Sequence, residues 1–398
     1  MTDLEIREVP EADLDRMIDL AVLVFHDRTE DDDYERHRWV PRRAERRGAY
    51  SGDDLVGQLA ALPMRLSVPG GLLDCSAVTY AGVLPTHRRR GVLTTLIERM
   101  HSDAVAAGRP LAALWASQSA IYGRYGFGSA TRAIELEVDT SRPLELRTAP
   151  APGPLRLVGR AEAPDVLGPL HARAIGRRPG GLVRDAEWWT RGVLPRVDEE
   201  DDELSEPRVV VLEGDPGGYA IYRTRQAGKG TVHLEDLEAD DARAEAALWR
   251  YLAEIDLTVS VKAANRPVDD LIPYLVADPD RVSVTGESGA LWLRLVDAPA
   301  ALRARHWASD DTLVIELEDA RLPANQGRWR LAAGACDRTS DAPDLTLDTA
   351  QLAAAYLGGT SVRMLARIGV VTEHTEGAAG RLDRAFAVPL APYTNDEF

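Results

Sequence analysis

One change of period constrains this chain more than any other feature. Ser76–Val83 alternates as a strand does, Leu84 to Gly91 breaks the pattern with LPTHRRRG, and Val92, Leu96, Ile97 and Met100 then recur at helical spacing up to Gly108. A further strand follows at Leu111–Trp115. Strand, arginine-rich turn, helix and strand in one run predict an α/β domain. A shorter version of the same order returns later, with strands at Arg208–Leu212, Gly218–Arg223 and Thr231–Asp236, a helix at Arg243–Leu252 and a strand at Leu257–Val261. It reads as a degenerate second copy.

The 398 residues are enough for two or three domains. Leu14, Met17, Ile18, Ala21, Val22 and Phe25 mark the apolar face of a first helix, and short antiparallel strands follow at Ala49–Ser51, Leu55–Met64 and Ser76–Val83. A Pro-rich stretch, Thr148 to Pro154, reads as a linker. Beyond the second copy, a strand at Leu291–Val296, strands at Thr312–Glu318, Gly327–Ala332 and Leu345–Asp348, and helices at Ala350–Tyr356 and Ser361–Ile368 form a separate α+β module. The expected boundaries are 1–147, 148–291 and 292–398. Asp198 to Glu203, an unbroken acidic run, is expected to be a solvated loop.

Charge narrows the partners. A net charge of −17 repels nucleic acid and anionic bilayers and favours a cationic ligand. Only two of the 47 basic residues, Lys229 and Lys262, are lysines. Cys75 and Cys336 stand alone, without the spacing of a zinc site or a disulfide framework, so no metal is expected. The first fifteen residues are acidic and mixed, and no run of apolar residues is long enough to span a bilayer, which predicts a cytoplasmic protein.

In so acidic a chain, three adjacent arginines at a strand-to-helix turn call for an anion. Backbone N–H groups of a tight turn at a helix start bind phosphate, and flanking arginines add charge. The bland alternative is an exposed basic loop that aids solubility. The turn Arg88-Arg89-Arg90-Gly91-Val92-Leu93 resembles motif A of the GNAT superfamily of N-acetyltransferases, with Leu93 where that family has Gly or Ala. Ile121-Tyr122-Gly123-Arg124-Tyr125-Gly126-Phe127 is similar to the later segment of the same family, whose tyrosine protonates the departing CoA thiolate. Tyr122 is the corresponding candidate acid, against the alternative that it caps the core. Tyr125 and Phe127 read as packing residues.

Nearly the whole chain resembles the Eis (enhanced intracellular survival) type acetyltransferases of actinobacteria. The likeness rests on Val83 to Gly91, Trp115 to Ser117, Ile121 to Gly128, Gly218 to Tyr222, Leu291 to Leu295 and the final Glu397-Phe398. It implies tandem GNAT folds, the first active and the second degenerate, followed by a sterol-carrier-protein-like domain, assembled as a homohexamer. It implies acetyl-CoA as co-substrate and amines of aminoglycosides, or of lysine-containing peptides, as acceptors. Ala81 and Val83 would pair with the pantetheine; Arg88, Arg89 and Gly91 would hold the pyrophosphate; Ser117 and Tyr122 would flank the thioester. The free carboxylate of Phe398 would be the general base. Asp27 and Glu397 match acidic positions of the family's acceptor pocket, with Phe25 and Tyr80 as aromatic walls, while His37 reads as a rim residue.

The second copy carries Glu235-Asp236-Leu237-Glu238-Ala239-Asp240-Asp241 where the first has arginines, so one CoA site per chain is expected. Leu352, Tyr356, Leu357 and Leu365 are expected to close the core of the third module, whose role would be to deliver Phe398. Two other classes fit the same sequence: a CoA or drug sensor without turnover, and a lipid carrier using the C-terminal module.

Overall fold

A computed structural model describes residues 4–27, 34–198, 201–226 and 228–398. Residues 28–33, inside the acidic and aromatic stretch Asp27 to Trp39, and Glu199-Glu200 of the acidic run lie outside that description. The chain divides into two compact units, one of Met1–Ala130, Leu291–Val388 and Glu397–Phe398, the other of Thr131–Ala290 and Pro389–Asp396. No helix among the described residues is long and apolar enough to cross a membrane.

In the first unit a seven-stranded sheet runs in the order Leu4–Glu8, Glu45–Ser51, Asp54–Val68, Gly71–Val83, Leu111–Trp115, Leu291–Leu295, Gly128–Ser129. Its neighbours are antiparallel except Gly71–Val83 and Leu111–Trp115, which the helix Val92–Ala106 connects. That helix buries Val92, Leu96, Ile97, Met100 and Ala104, the stripe its spacing predicts. The helix Leu14–Phe25 buries Leu14, Met17, Ile18, Leu20 and Ala21, but Phe25 at its end is 40% exposed. His26 ends it in the left-handed conformation, φ +63°.

The second unit repeats the plan, in the order Val282–Gly289, Arg132–Asp139, Thr258–Pro267, Gly230–Ala239, Gly218–Arg225, Arg208–Leu212, Leu155–Val158. Again a single pair is parallel, Gly230–Ala239 with Thr258–Pro267, connected by the helix Ala242–Ala253. Sheet membership and the expected boundaries at 147 and 291 fall at different places. Arg132–Asp139 pairs in the second sheet, and Leu291–Leu295 lies between Leu111–Trp115 and Gly128–Ser129 in the first. Both exchanged strands are flanked by two neighbours, so their apolar residues are buried in a sheet whose other strands are distant in sequence.

A third sheet, Ala335–Arg338, Gly327–Ala332, Leu313–Glu318, Leu345–Asp348, Thr372–Glu373, also belongs to the first unit. Its helix Thr349–Tyr356 begins with a capping box at Asp348 and Gln351, and Leu352, Tyr356 and Leu357 are fully buried; Leu365 is half-buried. The acidic run is less solvated than its composition predicts, because Asp198 faces Arg223 and Asp201 pairs with Arg225.

Candidate active site

The parallel ladder of the first sheet stops early. Its register runs from Cys75 opposite Leu111 to Val78 opposite Leu114, yet the first strand continues to Val83. Thr79–Val83 therefore has no strand partner on that side among the described residues. On the other side the register with Asp54–Val68 slips between Gln58 and Ala60, and Tyr80 sits at φ +52° in the bulge. A bulge turns a strand away from its neighbour, so the slip and the splay belong together.

Past Val83 the short helix Pro85–His87 leads into the arginines, and Gly91 caps the helix Val92–Ala106 at φ +83° with no side-chain cap. The first-turn N–H groups consequently face outward, unoccupied by any side chain of the cap residue. Arg88, Arg89 and Arg90 are exposed and form no ion pair among the described residues; the Arg88 Nε donates to the Val83 carbonyl at 3.4 Å. Arg89 itself lies at φ +62°, a conformation in which a non-glycine residue is uncommon.

Beyond Leu111–Trp115, exposed Ser117 and buried Tyr122 are joined by a side-chain hydrogen bond. Burial pushes the Tyr122 phenol above its ordinary value, outweighing that bond, so the hydroxyl stays protonated at neutral pH. Phe127 holds the Tyr122 ring edge-on at 6.2 Å, and the Tyr125 hydroxyl shares a 3.1 Å hydrogen bond with Thr94 on the helix after the arginines. The segment is fixed from behind. A Cβ on Gly128 would lie 2.0 Å from the Ala350 carbonyl, and one on Gly126, φ +82°, would lie 2.7 Å from the Arg294 guanidinium.

On the acceptor side, Val24 packs against Gly82, which brings the end of the helix Leu14–Phe25 to the splayed strand. The Tyr80 hydroxyl donates to the His37 carbonyl at 3.2 Å, so His37 meets the site through its backbone. Asp27 and Glu397 are exposed and Phe398 is half-buried; Glu397 and Phe398 belong to the compact unit that holds Tyr122 and the arginines. Ala81 and Val83 are half-buried on the splayed stretch. The bulge at Tyr80 and the splay after Val78 carry no sequence signal beyond an ordinary strand. No group of three or more His, Cys, Asp or Glu side chains among the described residues could hold a metal.

A splayed parallel pair with a basic, glycine-capped helix start between its strands defines an acetyltransferase of the GNAT class. Residues 5–130 match the Acetyltransferase (GNAT) domain family, 180–295 a second family of that description, and 298–395 the Sterol carrier protein domain. An uncharacterized N-acetyltransferase of Streptomyces avermitilis is 40% identical over 87% of each chain. N-acetyltransferase Eis of Mycobacterium tuberculosis is 32% identical over 89% of this chain and 88% of its own. The crystal structure of Eis1 from Mycobacterium abscessus superposes with a TM-score of 0.88 at 31% identity, covering 99% of this chain and 100% of that one. The chain belongs to the Eis-type N-acetyltransferases, with two GNAT folds followed by a sterol-carrier-like domain.

Proposed function

We propose that this acyltransferase moves the acetyl group of acetyl-CoA directly to an amine of a polycationic acceptor, an aminoglycoside or a lysine-containing peptide, in a ternary complex. The observation that carries the reading is the turn at Arg88–Gly91. Three arginines stand without a carboxylate partner among the described residues in a protein of charge −17, at an uncapped helix start beside an open strand edge. Arg88, Arg89 and Gly91 suit a pyrophosphate, which accepts charge-assisted bonds from guanidinium and backbone N–H groups. The open edge around Ala81 and Val83 suits pantetheine, whose amides can add to a strand as a peptide does.

Ser117 and Tyr122 then flank the thioester. The amine nitrogen attacks the thioester carbonyl carbon; as the C–N bond forms and the C–S bond breaks, sulfur takes the Tyr122 hydroxyl proton. The proton shed by nitrogen passes to the Phe398 carboxylate, directly or through water, and returns through solvent to Tyr122. An α-carboxylate has an ordinary pKa of about 3.5, so this base needs the half-buried setting or the water relay. Asp27 and Glu397 attract the cationic acceptor, with Phe25 and Tyr80 as apolar walls. The same reading takes the enzyme to be cytoplasmic and homohexameric, which light scattering would test.

A thiol-release screen with acetyl-CoA tests the activity. Aminoglycosides should react faster than monoamines or neutral alcohols, and added salt should raise their KM through screening. Equal rates with neutral alcohols would remove the polycation, and no release with any amine would leave a CoA-binding sensor.

A further inference from the structure

The second unit contains the same splay as the first. Its parallel ladder ends at Leu234 opposite Ala263, and the register with Gly218–Arg225 slips between Ile221 and Tyr222, opposite Glu235. Residues from the end of the chain lie across this gap. The Asn395 amide donates to the Glu235 carbonyl on one strand; on the other, the Tyr393 hydroxyl donates to the Asn265 carbonyl at 2.8 Å and the Asn265 amide donates to the Thr394 carbonyl at 3.3 Å. The backbone N–H of Ala391 donates to Asp269 at 2.8 Å and that of Tyr393 to the Pro179 carbonyl at 2.9 Å. Tyr393, Thr394 and Asp396 are buried.

Asp396 ends this segment on a buried charge. The Arg184 side chain, 2% exposed, donates to Asp396 at 2.7 Å and to Asp236 at 2.8 Å, and the Trp188 indole donates to Asp396 at 3.0 Å. Burial opposes the charge on Arg184, yet Asp396 and Asp236 hold its pKa well above the ordinary value, so the guanidinium is a permanent anchor. A carboxylate two positions from the chain end, desolvated against an arginine, is the reverse of a frayed terminus. Beside the tail the cleft keeps a cavity of about 220 Å³ whose lining mixes carboxyl groups, among them Glu238, Asp240 and Glu245, with Arg177, Arg178 and Arg266.

We propose that the degenerate cleft is a peptide site occupied by the chain's own Leu390–Asp396, with Asp396, held by Arg184, as its anchor. The peptide site does not depend on the proposed role of Phe398.

Hydrogen exchange on the full chain tests the site. In Asp396→Ala, where Arg184 keeps Asp236, the amides of Ala391 and Tyr393 should exchange at least ten-fold faster, while those of Arg208–Leu212 keep their protection. Asp396→Asn, which retains an acceptor for Trp188, should fall between. A synthetic peptide PLAPYTNDEF should bind the folded Asp396→Ala protein at one per chain in calorimetry, and the same peptide with alanine for its aspartate should bind at least ten-fold more weakly. Unchanged exchange at Ala391 and Tyr393, or no difference between the peptides, overturns the peptide site. Faster exchange at Ala391 and Tyr393 in Asp396→Ala, intermediate exchange in Asp396→Asn and weaker binding of the alanine peptide together support the peptide site.

Discussion

In the first unit, Gly71–Val83 parts from its neighbour after Val78, and the turn beyond it ends in Gly91 with exposed arginines. In the second, Gly230–Ala239 parts from its neighbour after Leu234, but the helix start beyond it is closed. Asp241 caps it, accepting from the N–H groups of Arg243 and Ala244. Asp240 takes Arg173, Arg177 and the N–H of Gly217, contacts that hold its carboxyl well below the ordinary range. The same backbone therefore carries opposite electrostatics at the position where a helix binds phosphate. The gap between the strands differs in the same sense, since in the second unit it holds Leu390–Asp396. A fold that splays two strands makes a cleft at no further cost, and side chains decide whether it takes a ligand or a piece of the chain.

The largest expected break in this asymmetry is Arg88→Ala with Arg89→Ala. Each guanidinium lost removes a charge-assisted bond worth about 1.5–3 kcal/mol, so acetyl-CoA affinity should fall by roughly 10² to 10⁴. Calorimetry should also give one acetyl-CoA per wild-type chain. Unchanged affinity, or two sites, would mean that the second helix start binds phosphate despite Asp240 and Asp241. Tyr122→Phe should come next, lowering kcat by about 10²-fold with acetyl-CoA affinity retained, because only the hydroxyl bonded to Ser117 is removed. Wild-type turnover would make Tyr122 a packing residue. Deleting Phe398 moves the terminal carboxylate by about 3.5 Å, and a C-terminal tag removes it from its place. Both should keep acetyl-CoA binding and lose most transfer, unless another group is the base.

The sequence states the difference between the units only in part. The arginines and Gly91 are legible because a short local pattern carries them, and so are the strands and helices on either side. The anchor is not. Arg184 and Asp396 are separated by more than half the chain, and neither stands out among many arginines and aspartates until the fold buries both. Leu291–Leu295 reads as a strand from its sequence whereas Arg132–Asp139 does not, and which sheet receives each depends on edges that local patterning does not encode. The module that backs the Ile121–Gly128 segment is equally hidden. Gly128 looks like one more glycine in a turn-rich stretch, whereas the Ala350 carbonyl fills the space of its side chain. Gly128→Ala should cost about 1–3 kcal/mol by overpacking, read as a lower urea midpoint, and a neutral result would place that helix farther away.

The smallest effect concerns the acidic wall of the second cleft. Burial, with Asp270 and Glu238 nearby and Arg266 opposing them, pushes the Glu245 carboxyl up to about 8. An unfolded glutamate titrates near its ordinary value, so between about pH 4.5 and pH 8 the folded state holds a proton that the unfolded state has released. Stability then falls as pH rises through that window, by up to about 1.4 kcal/mol per pH unit for a full proton. Glu245→Gln keeps the shape and removes the titration. Relative to wild type, its urea midpoint should be higher at pH 8 than at pH 5 by an amount worth on the order of 1 kcal/mol. With the Glu245 carboxyl buried this pH-dependent gain follows, whereas a solvated, ionised Glu245 would leave the same offset at both pH values.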